Sequence, residues 1–136
     1  MIDRLMVNRL KDRLDYKKAI ILLGPRQVGK TTLMKTLAKA TGQEYIYFNG
    51  DEMDTRNLWD QNNVVTLKKS FGNKKLIILD EAQMIPNIGI ICKQIIDANL
   101  GIQLLITGSS ALDIANKMQE SLTGRKWQYY LFPMSI

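Results

Sequence analysis

Five short stretches of the chain are rich in aliphatic or aromatic residues, and longer polar, periodically patterned segments separate them. Residues 18–23 carry Ala19-Ile20-Ile21-Leu22-Leu23, residues 76–79 read Leu76-Ile77-Ile78-Leu79, and residues 103–107 read Gln103-Leu104-Leu105-Ile106-Thr107. Aliphatic runs without alternation imply strands buried on both faces, as in a parallel sheet covered by helices. Residues 44–49 (Glu44-Tyr45-Ile46-Tyr47-Phe48-Asn49) and 127–132 read as two further strands. Between the strands, apolar residues recur at helical spacing. Residues 2–14 place Ile2, Leu5, Met6, Leu10 and Leu14 on one face of an amphipathic helix. Residues 31–40 predict a second helix, stopped by Thr41-Gly42. Val64, Leu67 and Phe71 predict another ahead of Gly72-Asn73, and Pro86 opens one that buries Ile88, Ile91, Ile95 and Ile96. Residues 111–122 predict the last, with Ala111, Leu112, Ile114, Ala115, Met118 and Leu122 inward. The stretch 51–72 is otherwise poorly patterned, and Trp59 is expected to anchor it to the core rather than to bind a ligand. Alternating strands and helices put the chain in the α/β class.

The first strand runs directly into Gly24-Pro25-Arg26-Gln27-Val28-Gly29-Lys30-Thr31, which matches Gly-x-x-x-x-Gly-Lys-[Ser/Thr] at every fixed position. Strand, glycine loop and helix follow in the order that a phosphate-binding loop needs. Gly24 and Gly29 allow successive backbone N–H groups to turn inward around an anion. The helix that begins near Gly29, with Thr32 in its first turn, adds unpaired N–H groups and the positive end of its dipole. In this reading Lys30 reaches the β- and γ-phosphates as a point charge and the Thr31 hydroxyl holds Mg²⁺. The bland alternative is a glycine turn ahead of an ordinary helix.

Asp80 and Glu81 emerge at the C-terminal end of the third aliphatic strand, the edge at which ligands of open α/β sheets collect. Paired with the loop, Asp80 would hold Mg²⁺ in its outer shell and Glu81 would orient and polarise the attacking water. Without the loop, two carboxylates would merely solvate a strand end. Gly108-Ser109-Ser110 places small polar groups after the fourth strand. Thr107, Ser109 or Ser110 is a candidate to hydrogen-bond the attacking water or the γ-phosphate, and either serine also suits a helix cap. Arg125, just after Thr123-Gly124, reads as a dipole partner or surface charge, or as an arginine finger that neutralises charge on the transferring phosphate.

Composition narrows the chemistry. The 136 residues suit one domain able to bury a sizeable core, with 46% apolar and 24% charged residues. No apolar run approaches the ~18 residues of a membrane span, and the first residues lack the apolar core of a signal peptide. Cys92 is the single cysteine, which excludes an internal disulfide and fits a reducing cytoplasm. The absence of histidine excludes imidazole catalysis and histidine metal sites, so a metal should be a hard cation on oxygen ligands, again Mg²⁺. The net charge of +6 admits nucleic acid as a partner, although lysines and arginines are spread along the chain.

With these residues together, the chain resembles the AAA+-like P-loop ATPases of bacteria and archaea. The resemblance is carried by residues 21–33, by Leu79-Asp80-Glu81-Ala82-Gln83, by Ile106-Thr107-Gly108-Ser109-Ser110, by Leu122-Thr123-Gly124-Arg125 and by Leu131-Phe132-Pro133-Met134-Ser135. The last three stretches are closest to a subgroup in which an ATPase module precedes a C-terminal domain. The resemblance implies a three-layer α/β/α sandwich around a five-stranded parallel sheet of order 5-1-4-3-2, with ATP and Mg²⁺ bound. It makes Lys30 and Thr31 the Walker A pair, Asp80 and Glu81 Walker B, Ser109 the sensor region and Arg125 the finger. It also implies that relatives continue past Ile136 into a helical lid and a further domain. One departure is the serine or threonine at the sensor position, where many AAA+ motors carry asparagine. The expected role is Mg²⁺-dependent ATP hydrolysis coupled to attached domains or to a protein or nucleic-acid client, with oligomerisation open. A nucleotide-dependent switch with little turnover and a small-molecule or nucleoside kinase are the alternatives. A GTPase fits less well, because Asn116-Lys117-Met118-Gln119 puts glutamine where a guanine-reading aspartate belongs.

Overall fold

Strands that read as unbroken aliphatic runs must be covered on both faces, and the computed structural model of the chain shows how. It describes residues 4–14, 17–25, 29–61, 63–109, 122 and 124–130. The elements in order are α1 (Arg4–Lys11), β1 (Ala19–Leu23), α2 (Lys30–Ala40), β2 (Tyr45–Asn49), α3 (Met53–Asp60), α4 (Val64–Phe71), β3 (Leu76–Asp80), α5 (Ile88–Asp97), β4 (Gln103–Gly108) and β5 (Lys126–Tyr130). A 3-10 turn, Ala82–Met84, follows β3.

The strands form one five-stranded sheet in the order β2-β3-β4-β1-β5, the implied 5-1-4-3-2 arrangement read from the other edge. Every pairing is parallel, with Ile21 opposite Ile106 and Gln128, Ile78 opposite Leu105, and Asn49 opposite Asp80. Successive side chains of a strand point to opposite faces, so each aliphatic run divides between two cores. Ile20, Leu22, Leu76, Ile78 and Leu105 join Val7 and Leu10 of α1 and Leu33, Met34 and Leu37 of α2. Ala19, Ile21, Leu23, Ile77, Leu79, Leu104 and Ile106 join Trp59 of α3, Leu67 and Phe71 of α4, and Ile88, Ile91 and Ile95 of α5. The result is a three-layer α/β/α sandwich.

The unpatterned stretch resolves into two helices, α3 and α4, and the break between them has a local cause. The Asn63 side chain caps α4 by accepting a hydrogen bond from the Thr66 N–H at 3.2 Å. Helix α3 was hard to read because its sequence, Met53-Asp54-Thr55-Arg56-Asn57-Leu58-Trp59-Asp60, buries only Thr55 and Trp59. Helix α5 starts at Ile88 rather than Pro86, because the chain first passes through the 3-10 turn and a left-handed Asn87 (φ 58°). Helix α1 ends at Lys11, short of the expected residue 14, and β5 starts one residue early at Lys126. The helix expected over 111–122 lies outside the described residues apart from Leu122, which is buried. Cys92 lies wholly inside α5, and burial pushes its thiol up to about 12. No helix among the described residues is long and apolar enough to cross a membrane.

Trp59 does anchor the α3–α4 region. It is fully buried, with its ring centroid 5.6 Å from Phe48 of β2 and 5.9 Å from Phe71 of α4. Aromatic contacts of this kind stabilise beyond the area they bury. Trp59→Ala should therefore cost about 3–5 kcal/mol in urea unfolding, as for other buried large-to-small changes. Trp59→Phe should cost less, and a cost below ~1 kcal/mol for the alanine variant would show that this cluster does not hold the helices to the sheet.

Candidate functional site

Because all five strands are parallel, their C-terminal ends share one edge of the sheet, and residues that follow β1, β3 and β4 are brought together there. The N-terminus of α2 meets the same edge. Gly29 precedes the helix in a left-handed conformation (φ 87°), which an L side chain adopts only under strain and which glycine takes freely. Lys30, the first helical residue, is buried, and its ammonium donates to the carbonyl oxygens of Gly24 and, at 3.3 Å, Pro25. The loop is tied to the sheet by a Gly24 N–H bond to the Gly108 carbonyl. Arg26, Gln27 and Val28 lie outside the described residues.

Asp80 is the centre of the polar network. Its Oδ2 accepts from the Thr31 hydroxyl at 2.7 Å and from the Tyr47 hydroxyl at 2.6 Å, and its Oδ1 accepts from the Thr107 hydroxyl. Burial opposes the charge on Asp80, but the hydrogen bonds from Thr107, Tyr47 and Thr31 outweigh it and hold the carboxyl below its usual range. Tyr47 is pushed the other way by burial, by its bond to Asp80 and by nearby carboxylates, which keeps its hydroxyl protonated and donating. Thr107 thus serves Asp80, and its oxygen also accepts the Glu81 N–H at 3.1 Å. The expectation that Thr107 bonds the attacking water or a phosphate gives way to this role, since its side chain is fully buried.

Glu81 sits beside this network in a left-handed backbone conformation (φ 51°, ψ 49°), which costs a non-glycine residue about 1–3 kcal/mol. Its Oε2 accepts from Gln83 Nε2 at 3.0 Å, and its Oε1 is 3.9 Å from the Lys30 ammonium. Gln83 in turn accepts the Ser109 N–H at 3.3 Å, so Ser109 enters the site through its backbone. Ser110 lies outside the described residues. Gly50 closes the floor. Its N–H donates to the Asp80 carbonyl at 2.7 Å, and a Cβ there would stand 2.2 Å from the Glu81 carbonyl oxygen. Arg56 of α3 holds this turn by donating to the Gly50 and Asp51 carbonyls at 3.0 and 2.7 Å. An open cleft of about 490 Å³ lies between Gly29, Lys30, Thr31 and Thr32 on one side and Asn49, Asp51, Asp80 and Glu81 on the other.

Arg125 is not part of this assembly. Strand β5 runs parallel to β1, so the residue before β5 lies beside the start of β1, at the opposite edge of the sheet from the loop that follows Leu23. Its carbonyl accepts the Ala19 N–H at 2.8 Å, and its Nε donates to Asp97 Oδ1 at 2.7 Å, near the C-terminus of α5. A hollow of about 500 Å³ at that far edge, between Arg13, Lys75, Gln103 and Trp127, holds none of the loop or carboxylate residues. Sequence reading had no signal for Tyr47 or Gly50, which act through contacts that the strand order creates, and it named Gln83 only as part of a matching stretch without a role.

The cluster can hold an anion against Lys30 and a hard cation against the Thr31 oxygen, with Asp80 behind it. Among the described residues no three histidine, cysteine or acidic side chains cluster as a metal cage. One hydroxyl and one carboxylate are the donor set that Mg²⁺ uses when substrate phosphates complete its shell.

Known proteins share both sequence and fold with the chain. A family model described as an AAA domain matches residues 16–136. An uncharacterized protein of Mycobacterium tuberculosis is 33% identical over 118 residues, covering 86% of this chain and 25% of that protein. The chain thus spans about a quarter of the length of the curated relatives it matches first. The RuvB Holliday junction branch migration motor of Thermotoga maritima superposes with a TM-score of 0.61 at 15% identity, over 96% of this chain and 45% of that one. The Aeropyrum pernix ORC1 protein, solved in complex with DNA, gives 0.64 at 16% identity, over 99% of this chain and 46% of that one. At such identities these two structures bear on the fold alone.

The contact between Gly50 and Glu81 yields a test of how firmly the site is built. Gly50→Ala should lower stability by about 1–3 kcal/mol in denaturant unfolding, because the added methyl meets backbone that has no rotamer to escape into. An unchanged unfolding midpoint would mean that the Gly50 turn moves freely against Glu81.

Proposed function

The chain belongs to the AAA domain family, with the fold of the AAA+-like P-loop ATPases, and on that premise we propose that it binds ATP with Mg²⁺ and hydrolyses it. The nucleotide state would be passed on to attached domains or to a partner. The observation that carries this reading is the 2.7 Å hydrogen bond from Thr31 to Asp80, formed beside the buried Lys30 ammonium at the mouth of an open cleft. Two separate sequence motifs meet there through side chains.

Each residue has a task that follows from its chemistry. Lys30 exchanges its loop carbonyls for the β- and γ-phosphate oxygens, and the N–H groups at the start of α2 add to the same field. Thr31 gives its hydroxyl hydrogen to Asp80, which leaves its oxygen lone pairs for the metal. Asp80, kept ionised by its hydroxyl donors, supplies the outer-shell charge. Bound Mg²⁺ would neutralise charge that builds on the β- and γ-phosphate oxygens. Glu81 takes a proton from the water that attacks the γ-phosphorus as the bond to the β-phosphate oxygen breaks, releasing ADP and phosphate. Gln83 and the Ser109 segment hold Glu81 until then. Arg125, bound to Asp97 at the far edge, does not stabilise transfer within its own chain in this reading.

The client is a protein or a nucleic acid. The net charge of +6 is compatible with DNA as that client. A switch with little turnover is the competing reading, and Glu81 separates the two. In single-turnover hydrolysis, Glu81→Gln should be slower than wild type by about 10²–10⁴-fold with ATP binding retained, the usual range for a lost general base. Equal rates would remove Glu81 from the chemistry, and slow hydrolysis by wild type as well would favour the switch. Lys30→Ala should lose most ATP affinity in calorimetry on the full-length protein while its circular dichroism stays unchanged, and undiminished binding would remove Lys30 from the phosphate site.

A further inference from the structure

Tyr47 is the one aromatic hydroxyl described at the cleft's buried carboxylate, and nothing in the phosphate-loop motif calls for it. In the β2–β3 ladder Tyr47 pairs with Ile78 and Asn49 pairs with Asp80. Tyr47 is therefore the diagonal neighbour of Asp80, a spacing that an aromatic side chain can bridge on one face of a sheet. That face is the one covered by α2, since Tyr45, Tyr47, Leu76 and Ile78 all belong to the core that α2 packs on. The tyrosine is held by Asp80 of β3 at its hydroxyl and by this helix at its ring. Its hydroxyl shares Asp80 Oδ2 with Thr31, and its ring lies 4.3 Å from the ammonium of Lys35, one helical turn further on.

We propose that Tyr47 is a positioning residue for magnesium: its hydroxyl locks the Asp80 carboxylate in the orientation that turns the Thr31 oxygen toward the metal, and so sets how tightly the nucleotide site holds Mg²⁺. The inference rests on the nucleotide reading above. A carboxylate that anchors only one oxygen can swing about its Cβ–Cγ bond. With Thr107 on Oδ1 and both Tyr47 and Thr31 on Oδ2, donors from β4, β2 and α2 fix its plane. Thr31 has to bond two groups at once, giving its hydrogen to Asp80 and its oxygen to the metal. The direction of its lone pairs is therefore dictated by where Oδ2 lies. Tyr47 is the donor to Oδ2 that comes from a neighbouring strand rather than from the phosphate-loop helix, and its ring lies against the Lys35 ammonium.

Tyr47→Phe in the full chain tests this, since it keeps the ring and its Lys35 contact and removes one oxygen. Binding of a fluorescent ATP analogue is measured first in EDTA and then across a Mg²⁺ titration, with thermal melts alongside. Metal-free affinity should match wild type, and the melting temperature should fall by a few degrees for the one hydrogen bond lost from Asp80. The Mg²⁺ concentration at half-effect should rise about three- to tenfold, at or below the lower end of what losing an outer-shell group costs because Tyr47 acts through Asp80. A midpoint within twofold of wild type overturns the inference. So does a lower midpoint, which would mean that the hydroxyl competes with the metal for Asp80. An equal loss of affinity in EDTA would make Tyr47 a purely structural residue. If wild type itself gains no affinity from Mg²⁺, the nucleotide reading fails first. If wild type gains and Tyr47→Phe gains at the same midpoint, only the role of Tyr47 is lost.

Discussion

A buried carboxylate survives in an α/β core only if its charge is answered by oriented dipoles, and Asp80 is answered by three hydroxyls. Thr31, Tyr47 and Thr107 come from α2, β2 and β4, so this one side chain connects the phosphate-loop helix to three neighbouring strands of the sheet, β3 included. The arrangement requires the parallel order β2-β3-β4-β1, because only that order puts the C-terminal ends of β2 and β4 on either side of Asp80. Fold and site are in this sense one structure. A shift of β2 or β4 by one residue would turn Tyr47 or Thr107 to the wrong face.

Much of this was legible in residue patterns, and what was not has a physical reason. Runs such as Ala19–Leu23 and Leu76–Asp80 declare themselves because a strand buried on both faces tolerates little polarity. The loop Gly24–Thr31 and the pair Asp80-Glu81 are legible because phosphate chemistry dictates residue type and spacing together. Helix α3 was obscure because it commits only two residues to the core. Tyr47 and Gly50 were invisible for a different reason. Tyr47 looked like one more apolar residue of a strand, and its value comes from a diagonal across β2 and β3. Gly50 looked like a turn residue, and its value comes from the carbonyl pressed against it.

Arg125 shows what sequence proximity leaves out. Proximity in sequence to a glycine and a helix end suggested a catalytic cation, yet a parallel sheet has two edges with different chemistry. The residue before β5 necessarily belongs to the edge where strands begin, and there it finds Asp97. Of the positive charges weighed for the site, Lys30 lies at the edge where strands end, carried there by the first turn of α2.

The turn at Gly50 has a mechanical side. Steric repulsion rises so steeply that two touching backbones behave as rigid bodies, and the missing side chain leaves no cushion between this turn and the Glu81 peptide. Arg56 fastens the same turn to the body of α3. A tilt of α3, were it to carry this turn with it, would press on the Glu81 peptide by contact rather than through a change in field. Salt would not screen such a signal, and it would run equally well in reverse.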